Sequence, residues 1–228
     1  VLLEGLRRLE YRGYDSAGIV YLKDDNLTKY RCEGKLAKLE AIVDEAIIVD
    51  AHLGLGHTRW ATHGPPTEVN AHPHCDNDQK LALIHNGIIE NYQEIKNDLL
   101  AKGYTFSSET DTEVLVNLIS DCRKTEPSLL DALAAALNQV DGAYALALIH
   151  LDEPGVIYGA RQSSPFVLGV GVGENFIASD IPAFLQYTKD VVFLEDDELI
   201  RIDSGSWRVY SRHSREILEK KINHITWD

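Results

Sequence analysis

Ala143–Ala160 reads AYALALIHLDEPGVIYGA. Two apolar, strand-like runs, Ala143–Leu151 and Val156–Ala160, flank the turn residues Asp152–Gly155. The same rhythm continues through Phe166–Val172, Phe176–Ser179, Val191–Leu194 and Leu199–Ile202. Past the hairpin turn Asp203-Ser204-Gly205-Ser206 comes a last run, Trp207–Tyr210. Links this short imply antiparallel neighbours, because a parallel crossover needs a dozen or more residues. A short helix is expected over Pro182–Tyr187, with proline at its first position.

Upstream, strands and helices come in blocks. Leu2, Leu3, Leu6 and Leu9 fall at helical spacing and predict a helix over Val1–Leu9, broken by Gly13. Strands are expected over Gly18–Leu22 and Leu27–Cys32, a helix over Leu36–Ala46, and strands over Leu53–Thr62 and Leu81–His85. Tyr92–Ala101 reads as a helix closed by Gly103. Thr110-Asp111-Thr112-Glu113 and Ser128–Asp131 fit capping boxes, opening helices to about Cys122 and about Val140. Ser214–Lys221 and then Ile222–Asp228 read as a polar helix or linker. Block-wise alternation favours an α+β layered fold over a doubly wound parallel sheet.

The 228 residues are 44% hydrophobic and 25% charged, a balance that supports a packed core. No apolar run is long enough to span a bilayer. The net charge of -14 argues against nucleic acid or an anionic membrane surface as the main partner. Cys32, Cys75 and Cys122 are scattered and odd in number, which reads as reduced thiols in a cytoplasmic protein. The chain holds no methionine and starts at Val1 inside an apolar-periodic run, so the natural product is expected to begin earlier.

Four segments concentrate unusual residues: Leu9–Gly18 (LEYRGYDSAG), Gly56–His74 (GHTRWATHGPPTEVNAHPH), His85–Asn91 (HNGIIEN) and Ser108–Glu113 (SETDTE). Each falls at a strand end or helix start, where sites are built on loops held by rigid elements. Arg59 could grip a carboxylate with two parallel hydrogen bonds, or form an ordinary salt bridge or pack on Trp60. Asp111 could counter an ammonium group, or simply sit in the first turn of a helix, where the dipole favours a carboxylate. Asn86-Gly87 reads either as a plain turn or as an oxyanion hole made of a side-chain amide and a backbone N–H. His57, His63, His72, His74 and His85 invite a metal reading. Pro73 separates His72 from His74, and no acidic or cysteine ligand falls at a recognisable spacing, so no metal is expected. Neither a Walker-type phosphate loop nor a G-x-S-x-G elbow occurs.

Leu9–Gly18, Gly56–Gly64, Asn70–His74, His85–Asn91 and Ser108–Glu113, in that order, resemble the class II glutamine amidotransferase domain of glucosamine-6-phosphate synthases. The resemblance runs over effectively the whole chain. It implies an N-terminal-nucleophile fold: a four-layer αββα sandwich, two antiparallel sheets between helical layers. It also implies hydrolysis of L-glutamine to L-glutamate. The ammonia would pass to a sugar-isomerase domain of the same polypeptide, in an enzyme that is a homo-oligomer and uses no cofactor. Residues 1–222 would form the glutaminase domain and 223–228 the start of the linker. By resemblance, Arg59 binds the α-carboxylate and Asp111 the α-amino group. Trp60, Thr62 and His63 line the pocket, Asn86 and Gly87 form the oxyanion hole, and Arg12 closes and orients the site. Trp60 would also gate ammonia. The family's nucleophile is an N-terminal cysteine whose own α-amine acts as base; none of Cys32, Cys75 or Cys122 matches it. Two alternatives stand beside this reading. One is a glutamine-binding module without catalysis. The other is the amidotransferase domain of another class II enzyme, such as amidophosphoribosyltransferase or asparagine synthetase.

Overall fold

The computed structural model describes residues 1–43 and 51–226. Its helices are α1 (Leu2–Arg8), α2 (Leu36–Ile42), α3 (Tyr92–Ala101), α4 (Asp111–Arg123) and α5 (Leu129–Leu137). Its strands are β1 (Ser16–Lys23), β2 (Asn26–Glu33), β3 (Leu53–Arg59), β4 (His74–Cys75), β5 (Leu81–Ile89), β6 (Gly142–His150) and β7 (Ile157–Gln162). They continue with β8 (Val167–Val170), β9 (Asn175–Ala178), β10 (Asp190–Phe193), β11 (Glu198–Ile202), β12 (Trp207–Ser211), β13 (Ile217–Leu218) and β14 (Asn223–His224).

Seven strands form one sheet in the order β13-β12-β11-β7-β6-β5-β4. The facing layer consists of two ladders, β2-β1-β3 and β14-β10-β8-β9. All strand pairs in these ladders are antiparallel. Strand periodicity explains the layering, since alternate side chains leave opposite faces. From β6, Tyr144, Leu146 and Leu148 pack with α4 and α5. Its intervening residues Ala145, Ala147 and Ile149 meet Val20 and Leu55 of one ladder and Leu168 and Val192 of the other. The outer face of β1, carrying Ala17, Ile19 and Tyr21, is covered by Leu6 of α1 and by Leu36 and Leu39 of α2. Val167 and Val191 are covered by Ile181 and Phe184. The result is the expected αββα order.

Several predicted elements differ in detail. The helix beginning at Leu36 is described as far as Ile42, and Ala46 lies outside the described residues. Pro182–Tyr187 is not a full helix: one 3-10 turn covers Ile181–Ala183, opened by Asp180, whose Oδ1 accepts the Ile181 N–H at 2.9 Å. Ser214–Lys221 is not helical either. Its Ile217–Leu218 pairs with Val209 and Tyr210, because the segment lies along a sheet edge that offers backbone partners. Asn223–His224 pairs with Asp190 and Val191. Thr110 and Ser128 cap as expected, accepting from the backbone N–H of Glu113 and Asp131. The Glu113 carboxylate, however, does not turn back to Thr110. It accepts from the N–H and hydroxyl of both Ser107 and Ser108, fixing the loop that leads into α4.

A seam of buried histidines ties β3, β4 and β5 to the start of α4. His57 and His72 stack with ring centroids 4.4 Å apart, and His74 meets His72 edge-on at 5.1 Å. Thr112 Oγ1 lies 2.7 Å from His72 Nε2 and 3.1 Å from His85 Nδ1, so its hydroxyl donates to one ring and accepts from the other. Thr110 Oγ1 lies 3.1 Å from His74 Nε2. Burial disfavours the charged imidazolium: it pulls His57 down to about 4 and lowers His72, His74 and His85 as well.

An unfolded histidine titrates near 6.5. Between that value and the folded ones, the unfolded chain holds protons that the native seam does not, so acid favours unfolding. The midpoint of thermal unfolding is therefore expected to fall steadily as pH drops from about 6.5 towards 4. A midpoint that stays flat through that window would contradict a neutral seam.

Candidate active site

A cavity of about 1230 Å3 opens between the seven-stranded sheet and the facing ladders. It is bordered by α1, by β3, by the Asn86–Gly87 segment of β5, by Ala145 and Ala147 of β6, and by residues 173–179 around β9. Arg12, Arg59, Trp60, Thr62, Asn86, Gly87 and Asp111 all line it. The structure thus brings seven of the eight sequence-derived candidates to the lining of one cavity. His63 lies just behind: its Nδ1 is 3.8 Å from Asp111 Oδ2 and its ring meets Tyr92 edge-on.

Asn86-Gly87 resolves one open alternative. The pair is not a hairpin turn, because β5 continues to Ile89 and pairs along its whole length with β6. Asn86 faces Ala145 and Gly87 faces Tyr144. At Gly87 φ is +131°, and an added Cβ would fall 2.0 Å from the Ala143 carbonyl oxygen. Glycine is required there so that the strand keeps its partner while bending past the cavity. The small Ala145 opposite leaves the Asn86 amide exposed to the cavity. His57 Nε2 lies 2.9 Å from Asn86 Oδ1.

Arg59 ends β3 and is only 3% exposed. Its Nη2 donates to the His63 carbonyl and its Nη1 lies 3.5 Å from the Pro65 carbonyl. Its partners among the described residues are carbonyls rather than a carboxylate, so it is neither an ordinary salt bridge nor a surface arginine. Burial lowers its pKa, and the fields of Asp15 and Asp111 oppose that effect. Asp111 starts α4 at 3% exposure, and its Oδ2 accepts the Ile89 N–H at 2.9 Å. That bond joins the start of α4 to the end of the strand carrying Asn86. A desolvated guanidinium and a desolvated carboxylate therefore share one cavity without being bonded to each other. This is the pattern that complements a free amino acid.

The rim is built from residues 11–13, in and after a 3-10 turn that follows α1, and from Trp60 just past β3. Trp60 is 68% exposed, and its ring rests against Gly13, where φ is +75° and a Cβ would come within 3.0 Å of the indole. Arg12 reaches across to the end of β9, with Nη1 3.0 Å from Ser179 Oγ and Nη2 2.9 Å from Asp180 Oδ2. Tyr11 donates to the same carboxylate at 2.5 Å. Two further residues were not singled out from sequence. Asp15 accepts the Ala61 N–H at 2.7 Å and its own N–H donates to the Arg59 carbonyl at 2.8 Å, fixing the chain around Trp60. Thr112 lines the cavity and holds two of the histidines. Their polarity gave no signal, since aspartate in a loop and threonine in a helix's first turn are common. Among the described residues, no group of three or more His, Cys, Asp or Glu side chains is arranged to hold a metal ion. Cys32, Cys75 and Cys122 are buried away from the cavity lining, and burial raises each thiol's pKa.

Known proteins share both sequence and shape with this chain. The isomerizing glutamine–fructose-6-phosphate aminotransferase of Clostridium acetobutylicum is 45% identical over 228 residues, all of this chain and 37% of its own length. Its counterpart in Thermococcus kodakarensis is 46% identical, again over all of this chain and 38% of its own. The chain thus spans little more than a third of these relatives. Among solved structures, the glutamine phosphoribosylpyrophosphate amidotransferase of B. subtilis, complexed with ADP and GMP, superposes with a TM-score of 0.77. It is 27% identical, over 93% of this chain and 46% of that one. The family described as glutamine amidotransferase domain matches residues 57–186, which include Arg59, Asn86, Gly87 and Asp111, and the chain belongs to that family.

Proposed function

We propose that this chain is the glutaminase half of an enzyme that makes glucosamine 6-phosphate from fructose 6-phosphate, with L-glutamine as the ammonia donor. The observation that carries the reading is the pairing, in one cavity, of Arg59 and Asp111 with the Asn86–Gly87 segment. Arg59 holds the substrate α-carboxylate through charge-assisted bonds, and Asp111 holds the α-ammonium. Trp60, Thr62 and His63 surround the bound amino acid, and Arg12 braces the rim over it. Asn86 Nδ2 and the Gly87 N–H donate to the amide oxygen as it becomes an oxyanion.

The reading assigns the nucleophile to an N-terminal cysteine that these 228 residues do not include. Its thiol loses a proton to its own α-amine and attacks the amide carbon. The tetrahedral intermediate collapses, the C–N bond breaks, and ammonia leaves with the proton returned by the amine. Water then cleaves the thioester to glutamate. An α-amine of ordinary pKa near 7.7–8.0 can serve as this base. Support for the placement comes from β3 and β9, which are edge strands among the described residues, both border the cavity and do not pair with each other. An extended segment between them would find backbone partners on both sides.

The acceptor chemistry follows the sequence comparison: 45% identity over the whole chain to the fructose-6-phosphate enzyme, against 27% to the phosphoribosyl enzyme. The isomerase domain of the same polypeptide is then the partner, in a homo-oligomer of the full-length enzyme. We place the protein in the cytoplasm, where three free buried thiols remain reduced. No helix among the described residues is long and apolar enough to cross a membrane.

The direct test is glutamate release from glutamine by the full-length gene product; no release with the N-terminal cysteine present would refute the function. Arg59→Ala removes a charge-assisted partner worth about 1.5–3 kcal/mol, so the KM for glutamine should rise roughly tenfold to a hundredfold. An unchanged KM would mean that the assigned pose is wrong. Asn86→Ala should instead lower kcat by about 10²–10³ with little change in KM. Unchanged turnover would remove Asn86 from the oxyanion hole.

A further inference from the structure

We propose that His57 is a positioning residue for the reaction: its Nε2–H holds the Asn86 carbonyl oxygen so that the amide NH2 points into the cavity. The inference rests on the oxyanion role proposed for Asn86 and adds a residue outside the set that touches substrate.

The geometry carries it. Asn86 stands exposed on a strand face, and an amide there is free to rotate by half a turn. One orientation offers two N–H donors to a developing oxyanion; the other offers a carbonyl oxygen, which repels it. The Asn86 Oδ1 lies 2.9 Å from His57 Nε2, and this is the side-chain hydrogen bond that Asn86 makes among the described residues. The outcome depends on which ring nitrogen carries the proton. An amide oxygen can only accept, so the 2.9 Å contact between Asn86 Oδ1 and the ring requires a proton on the nitrogen that faces it. The proton therefore sits on Nε2, and Nε2 donates to Oδ1.

The ring is itself immobilised. It is 7% exposed, and it stacks on His72 at 4.4 Å with 25° between the planes. His72 is in turn anchored to Thr112 at 2.7 Å. Burial keeps His57 neutral, so it is not suited to exchange protons with substrate at working pH. Its contribution is orientation: it reaches from β3 of the facing ladder to β5 of the seven-stranded sheet and sets the direction of one amide.

The test is steady-state glutamate release by the full-length enzyme carrying substitutions at His57 and Asn86. His57→Leu should lower kcat by about tenfold to a hundredfold while the KM for glutamine stays within about twofold, because a misdirected donor weakens the transition state and not substrate capture. His57→Gln places an amide N–H near the same point and should recover most of the lost turnover. In an Asn86→Ala background, adding His57→Leu should slow the enzyme no further, since His57 acts through Asn86. Multiplicative losses in the double variant, a change confined to KM, or a His57→Gln enzyme as slow as His57→Leu would each overturn the proposal. If His57→Leu does not fold, His57→Asn carries the same expectations, its amide being polar but too short to reach Asn86. An unsubstituted enzyme that releases no glutamate would instead refute the glutaminase function, and this inference with it.

Discussion

The nine-residue ladder between β5 and β6 is the constraint on which the site depends. Both of its faces are packed over most of its length, and the two are filled differently. Tyr144, Leu146 and Leu148 fill the space under α4 and α5, whereas Ala145 and Ala147 face the opposing layer. Small side chains on that inner face leave room for a cavity between layers that would otherwise close. Asn86, opposite Ala145, is therefore a polar side chain placed at the floor of a water-accessible space, rather than a buried amide in need of compensation. Gly87 makes this possible. Any side chain there would strike the Ala143 carbonyl and open the ladder that fixes its neighbour.

Around that floor, charge is placed by elements that do not depend on one another. Arg59 arrives at the end of β3, and Asp111 at the start of α4. Each is locked by backbone groups: Arg59 by the carbonyls of His63 and Pro65, Asp111 by the Ile89 N–H. Neither spends its charge on the other. A direct Arg59–Asp111 bond would have stabilised the fold little beyond its desolvation cost. It would also have removed both charges from the cavity. Their separation leaves two desolvated groups of opposite sign on one cavity, which is what the proposed amino-acid substrate requires.

Much of this was legible in the sequence, and what was not has physical reasons. Antiparallel pairing downstream of Gly142 followed from turns too short for crossovers, and the caps at Thr110 and Ser128 from their residue types. Asn86-Gly87 was ambiguous locally because the same dipeptide serves a hairpin and a strand bend. Only the partner strand β6, more than fifty residues away, decides between them. The tail after Ser214 reads as a polar helix or linker because its pairing depends on the edges of β12 and β10 rather than on its own pattern. Arg59, Asp111 and Asn86-Gly87 stood out by their own chemistry, each with a plainer alternative, whereas the roles of Arg12, Trp60, Thr62 and His63 came by resemblance. Asp15 and His57 act on their neighbours through bonds that no local spacing encodes.

The histidine seam connects the two halves of this design. Arg59 lies close enough to disfavour protonation of His57, His72 and His74, adding to the effect of burial. The rings in turn stay neutral, so no imidazolium places a second positive charge beside Arg59. On the proposed reading one cation thus serves recognition on its cavity side and helps to keep the interior rings neutral. Replacing the seam with apolar residues could fill the same volume, but it would remove the N–H that reaches Asn86.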